Sequence, residues 1–207
     1  VKILSHALGT PQEKLDIILI GGSNNKSTAA LFCSKLLIEE EFKVATVFSS
    51  HILNYQERII VDNTFVANKV LNDVLNLVID TVLKSNIQAT AYEIMLLVGL
   101  LISIDSGVGV VLIETGVGGK LDASAAFNPL IYGITKVALK DVDFLGKNLD
   151  NVAYEIMGAA KPGTWVISAE QSKLRLQKMK KFAEDNKMLW SMPIRKLSSL
   201  PYIYEQL

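Results

Sequence analysis

The chain has 207 residues, 50% of them hydrophobic and 20% charged, with twenty-one basic side chains balancing twenty-one acidic ones. That length and apolar content allow one large domain with a well-buried core, or two small ones, and exclude a disordered chain. Zero net charge leaves no field to attract a phosphate backbone, so no nucleic-acid partner is expected; Cys33 alone excludes an internal disulfide, and His6 and His51 alone leave a zinc cage almost without ligands.

In chain order, apolar runs of strand length alternate with longer helix-like segments. Strands are expected at 16–20, 43–48, 108–114, 130–134 and 164–168. Helices are expected at 26–40, 68–84, 91–104, 149–160 and 171–186. The strands are rich in Val and Ile with little polar alternation, as in strands buried on both faces. The fold class is therefore α/β, a parallel sheet flanked by helices, read as a single domain over 1–207 because no repeat, low-complexity tract or Pro/Gly/Ser linker interrupts it. The most apolar run, 94–102, is too short to span a bilayer and reads as a buried helix, so no membrane span is expected. Cysteine usage fits a reducing compartment, with a cytoplasmic setting expected and a mitochondrial one as the alternative, because the chain begins at Val1 rather than Met and a removed leader stays open.

In such a sheet, ligands collect at the carboxyl ends of the strands, where three unusual loops are expected to converge. The first, Gly21-Gly22-Ser23-Asn24-Asn25-Lys26-Ser27-Thr28, has the strand, glycine, lysine, hydroxyl, helix order of a phosphate-binding loop. In that chemistry backbone N–H groups cradle phosphate oxygens, a lysine reaches the outer phosphates and a hydroxyl meets magnesium, roles open to Lys26 and Ser27. The strict pattern fails, because Asn25 and Ile20 stand at its two glycine positions. Asn tolerates the left-handed region, so a weakened cradle and a plain strand, turn and helix both satisfy this stretch. The second loop, 114–124, opens on Glu114, whose charge ends an apolar run and would be costly to bury without a partner, and gathers Gly116, Gly118 and Gly119. The third, 134–146, also follows a strand. Elsewhere Cys33 reads as a core residue, His51 as either a loop surface or a ligand contact, and the basic segment 173–187 as a solvated helix face. No serine elbow occurs, and neither histidine has an evident acidic partner for a hydrolase triad.

Taken together, the segments LSHALGTPQEKL, FSSHILNYQERI, AYEIMLL, VVLIETGVGGKLDAS, GITKVALKDVDFLG and KPGTWVIS resemble the dihydrofolate and folylpolyglutamate synthases, a branch of the Mur-type ATP-dependent amide ligases. The resemblance is clearest over 1–168 and lies nearest the eukaryotic dihydrofolate synthases. It implies the P-loop central domain of those ligases, with ATP and magnesium as cofactors. In active members ATP phosphorylates a pterin-linked carboxylate and glutamate attacks the acyl phosphate, chemistry that depends on positioning and charge neutralisation. The resemblance implies nucleotide contacts from Gly22, Ser23, Asn24, Asn25, Lys26 and Ser27, metal contacts from Ser27, Glu114 and Asp141, and substrate contacts from His51, Glu57, Arg58, Tyr92 and Glu93.

Four departures weigh against turnover. The family loop G-T-N-G-K-G-S has lost one glycine here and replaced another, which shortens the cradle. Asp141 stands for the family's metal-binding histidine, with Lys140 where an aspartate is usual. Ile156 stands where the family carries a carbamylated lysine that helps hold a second metal, and an isoleucine ligates nothing. The remaining ATP contacts and the C-terminal Rossmann-like, glutamate-binding domain are expected to be lacking. The expectation is a catalytically defective relative that acts as a binding or structural subunit with a protein partner or in an oligomer. The alternative is an ATP- and magnesium-dependent ligase completed by a second chain; a third reading is a sensor that binds folate or nucleotide without converting it.

Overall fold

The computed structural model describes residues 1–139, 142–145, 147–170 and 172–192. Among them eight strands form one sheet: β1 (Asp16–Gly21), β2 (Val44–Val47), β3 (Ile59–Val61), β4 (Thr64–Phe65), β5 (Val110–Glu114), β6 (Ile131–Ile134), β7 (Trp165–Ser168) and β8 (Leu189–Ser191). Their order is β4-β3-β2-β5-β1-β6-β7-β8. All neighbours are parallel except β2 with β3 and β3 with β4. The sheet is thus parallel at its centre, as expected from the apolar runs, and gains an antiparallel edge hairpin. That hairpin is short: Ile59–Val61 and Thr64–Phe65 turn through Asp62 and Asn63, both at positive φ, where Asp and Asn are tolerated.

The helices are α1 (Lys2–Ala7), α2 (Lys26–Glu39), α3 (Asn68–Lys84), α4 (Ala91–Asp105), α5 (Val142–Leu145), α6 (Leu149–Met157) and α7 (Lys173–Asp185). Strand alternation divides the core between the two faces of the sheet. Ile17 and Leu19 of β1 join the larger cluster with α3, α4 and α6, while Ile18 and Ile20 join the smaller one with Ala30 of α2. Burial on both faces is why these strands show no polar alternation. The 94–102 run is the buried middle of α4, and Gly99 lets it approach β2, since a Cβ there would lie 2.6 Å from Val47. No helix among the described residues is long and apolar enough to cross a membrane.

Two helix ends differ from the sequence expectation by more than one residue. The helix expected at 149–160 stops at Met157, and the next turn tightens, with the Ala159 and Ala160 N–H groups reaching back only three residues before Pro162. The helix expected from 171 starts at Lys173, capped by the Ser172 hydroxyl that accepts from the Arg175 N–H.

Candidate functional site

The three loops meet at the carboxyl ends of β1, β5 and β6, as the βαβ order requires. After β1 the chain turns through Gly22 at φ 120° and Asn25 at φ 61°, and α2 begins at Lys26. Asn25 occupies the left-handed region in the glycine's place, the tolerance that makes a cradle without that glycine feasible. No side-chain cap closes the head of α2, whereas Thr90, Asn148 and Ser172 cap α4, α6 and α7. Its first N–H groups therefore need another partner, and an anion suits that end of a helix dipole.

Beside that head, the Ser27 hydroxyl donates to Glu114 Oε1 at 2.9 Å, and the Ser49 N–H donates to Glu114 Oε2 at 3.2 Å. Glu114 is only 4% exposed, so the charge at the end of β5 is held by these donors. Ser23, Asn24, Asn25, Lys26, Ser27, Ser49, Ser50, Glu114, Gly116 and Val117 line a cleft of about 370 Å³. A roomier cleft of about 500 Å³ lies between α6 and α7, but it is lined by Lys120, Glu155, Tyr154 and Phe182 and holds none of the phosphate-loop residues.

The first loop is backed by the third. The Ser23 N–H donates to the Lys136 carbonyl, its hydroxyl donates to the Ala138 carbonyl, and the Ala138 N–H returns a bond to that hydroxyl. Thr135 Oγ1 lies 2.6 Å from the Asn24 carbonyl and 3.1 Å from that of Gly21. The second loop is organised by Asp122, which accepts from the N–H groups of Gly116, Val117 and Ser124, from the Ser124 hydroxyl and from the Tyr92 hydroxyl. The Tyr92 hydroxyl also lies 3.1 Å from the Glu114 carbonyl oxygen. Burial, then the charge of Asp122, pushes the Tyr92 phenol well above the ordinary range, so it remains a hydrogen-bond donor. Tyr92→Phe is expected to cost about 1 kcal/mol of folding stability, read as a shift in denaturant midpoint at constant slope.

Of the remaining substrate candidates, His51, Glu57 and Arg58 lie on one segment, where His51 and Glu57 line a cleft that Ser27 and Ser50 also border, while Glu93 stands at the head of α4. Arg58 Nε donates to His51 Nδ1 at 2.9 Å, the His51 ring packs tilted by 38° against Tyr55 with centroids 4.4 Å apart, and the guanidinium lies 5.3 Å from that ring. Glu57 accepts from the N–H groups of Ile52, Leu53 and Asn54, completing a capping box with Asn54. Glu93 likewise accepts from the Thr90 N–H and hydroxyl at the head of α4. Both carboxylates are engaged in holding backbone. The bonds from Ile52, then Asn54, lower the Glu57 pKa. A carboxylate with a depressed folded pKa contributes order above its unfolded pKa and loses it as pH falls through the folded one. The amides of Ile52, Leu53 and Asn54 are therefore expected to lose exchange protection on acidification, checked residue by residue by hydrogen exchange.

Asp141 lies outside the described residues. Ile156 is 1% exposed within the larger core cluster, and its carbonyl accepts the Tyr132 hydroxyl at 3.0 Å. Cys33, expected in the core, is half-buried at the edge of the smaller cluster, and burial raises its thiol pKa. Among the described residues no three His, Cys, Asp or Glu side chains gather to hold a metal. Ser27 and Glu114 nevertheless fit magnesium, a hard cation that takes oxygen donors, uses one or two carboxylates and completes its shell with phosphates and water. Ser49, Thr135 and Ala138 were not singled out in the sequence: Ser49 and Ala138 act through backbone groups, which residue type does not reveal.

No protein-family model matches the chain. It is 26% identical over 172 residues to a dihydrofolate synthase/folylpolyglutamate synthase of Buchnera aphidicola, covering 83% of this chain and 41% of that protein. It is 30% identical over 162 residues to a probable dihydrofolate synthetase of Schizosaccharomyces pombe, covering 78% of this chain and 39% of that one. The chain thus spans about 40% of the length of these curated relatives. Among solved structures, E. coli FolC in complex with DHPP and ADP matches with a TM-score of 0.84 at 22% identity, over 91% of this chain and 45% of that chain. The apo form of L. casei FPGS matches with a TM-score of 0.85 at 24% identity, over 92% of this chain and 48% of that chain. These structural likenesses establish the fold.

Proposed function

We propose, on the premise that the chain belongs to the dihydrofolate synthase/folylpolyglutamate synthase family, that the cleft at the head of α2 binds the phosphates of ATP with magnesium and that these 207 residues alone do not ligate glutamate. The Ser27–Glu114 contact at 2.9 Å carries this reading, because it sets a hydroxyl and a carboxylate beside an uncapped helix head. Ser27 and Glu114 would hold the ion, Lys26 would meet the outer phosphates, and Gly22 to Asn25 would form the wall of the cradle. Magnesium bound there would neutralise charge on the phosphate oxygens. The absence of ligation is supported by Ile156, which fills core at the position where the resemblance implies a metal-holding lysine. The chain then serves by binding, with a protein partner as the assembly its family chemistry needs.

The alternative is full ligation of glutamate to dihydropteroate or folate when the groups found in the rest of a full-length relative are supplied, in the same polypeptide or by a second one. It is favoured by the 39–41% coverage of the curated relatives. The two readings separate in one assay of labelled glutamate incorporation, with dihydropteroate or folate, ATP and magnesium, run beside equilibrium ATP binding. Binding without incorporation is expected. Incorporation by the isolated chain overturns the proposed inactivity, and a lack of ATP binding overturns the nucleotide reading.

A further inference from the structure

We propose that Glu170 and Arg175, outside every loop considered so far, are positioning residues that hold the phosphate loop in shape through the strap at 135–138. Glu170 follows β7 and is only 2% exposed. Its Oε2 accepts from the Val137 N–H at 3.1 Å; its Oε1 accepts from the Ser172 N–H at 2.8 Å and from Arg175 Nη1 at 2.9 Å. The Arg175 side chain is itself only 15% exposed. Burial opposes the Glu170 charge, but the N–H groups of Ser172 and Val137 and the guanidinium outweigh it, leaving its pKa below the ordinary carboxylate range. The carboxylate is thus charged and paired, and it grips one backbone N–H of the third loop.

Val137 stands between the two residues that hold Ser23. The Lys136 carbonyl takes the Ser23 N–H at 3.1 Å, and Ala138 exchanges hydrogen bonds with the Ser23 hydroxyl at 2.9 Å each way. One residue earlier, Thr135 reaches the carbonyls of Gly21 and Asn24. Ser23 is 6% exposed, so its bonds to the strap are sheltered from water. The connection therefore runs from Arg175 to Glu170 to Val137 by hydrogen bonds, and from the backbone on either side of Val137 to Ser23 by hydrogen bonds again. A buried charge pair is a weak contributor to net stability but fixes one geometry, the task that a loop without its usual glycine imposes.

The inference rests on the nucleotide reading only for its binding arm. Glu170→Gln keeps the volume and removes the charge, and it is expected to weaken binding of ATP with magnesium about tenfold. Ser23→Ala is expected to do the same, and the double variant to bind no more weakly than either single one, because both break one connection. Multiplication of the two losses, or unchanged affinity in Glu170→Gln, overturns the proposal. The second arm needs no nucleotide. In Glu170→Gln the amides of Val137, Ala138 and Ser23 are expected to exchange faster while those of β2 and α4 keep their rates. Uniform acceleration, or an unchanged Ser23 amide, marks a merely structural pair. Arg175→Met, run in parallel, gives the same readouts if Glu170→Gln fails to fold. Should the unmodified chain bind no ATP, the nucleotide reading falls and the exchange result still decides the role of the pair.

Discussion

Glu114→Gln is expected to weaken binding of ATP with magnesium by about a hundredfold, close to 2.7 kcal/mol, while leaving the melting temperature unchanged or higher. The substitution keeps the size of the side chain. Its remaining carbonyl oxygen still accepts a bond from the Ser27 hydroxyl or the Ser49 N–H, so little packing is lost. What disappears is a negative charge on a residue only 4% exposed to water. Removing a buried charge relieves desolvation, which is why stability is not expected to fall. A cation held between this carboxylate and a triphosphate, by contrast, loses the one carboxylate among the residues that line the cleft. Titration calorimetry beside a thermal melt checks both halves. A lower melting temperature with intact binding would mean that Glu114 is a structural cap for Ser27 and Ser49.

The largest effect on folding is expected from Gly119→Ala, at about 3 kcal/mol or more. A Cβ at Gly119 would overlap the Ile156 carbonyl oxygen and come within 2.8 Å of the Glu155 carbonyl oxygen and the Ile156 carbonyl carbon. These are backbone atoms of α6, so no flexible side chain can give way. The same contact region holds the Lys120 N–H against the Glu155 carbonyl and the Leu121 N–H against Glu155 Oε1. The glycine loop would have to lift from α6, and the Asp122 bonds that shape the cleft wall would loosen with it. Denaturant unfolding measures the loss. Gly109→Ala, where a Cβ meets nothing within 4 Å, serves as the matched control and is expected to be close to neutral.

The central strands were legible because parallel strands covered on both faces must be apolar throughout, as in Ile17-Ile18-Leu19-Ile20. The outer strands β3, β4 and β8 were not. They are two or three residues long, and what makes them strands is a neighbour brought from elsewhere in the chain, as Trp165 brings Leu189 into register. The site divides in the same way. Lys26, Ser27 and Glu114 announce themselves by charge or hydroxyl at the end of a strand or head of a helix, and the structure brings Ser27 and Glu114 together. The left-handed Asn25 was legible because few other residues accept that conformation. Ser49 contributes a backbone N–H that any residue has, and Glu170 acts from the loop after β7, a strand that lies two places from β1 in the sheet. Glu57 and Glu93 show the converse case, carboxylates singled out by resemblance: Glu57 holds local backbone through both oxygens, and Glu93 holds the Thr90 N–H through Oε2.

Titration calorimetry of ATP into the unmodified chain, once with magnesium and once with excess chelator, tests the central claim most directly. Saturable one-to-one heat that requires magnesium is the expected result. Absence of heat in both titrations, or equal affinity with and without the metal, would contradict a magnesium-bearing phosphate cleft at Ser27 and Glu114.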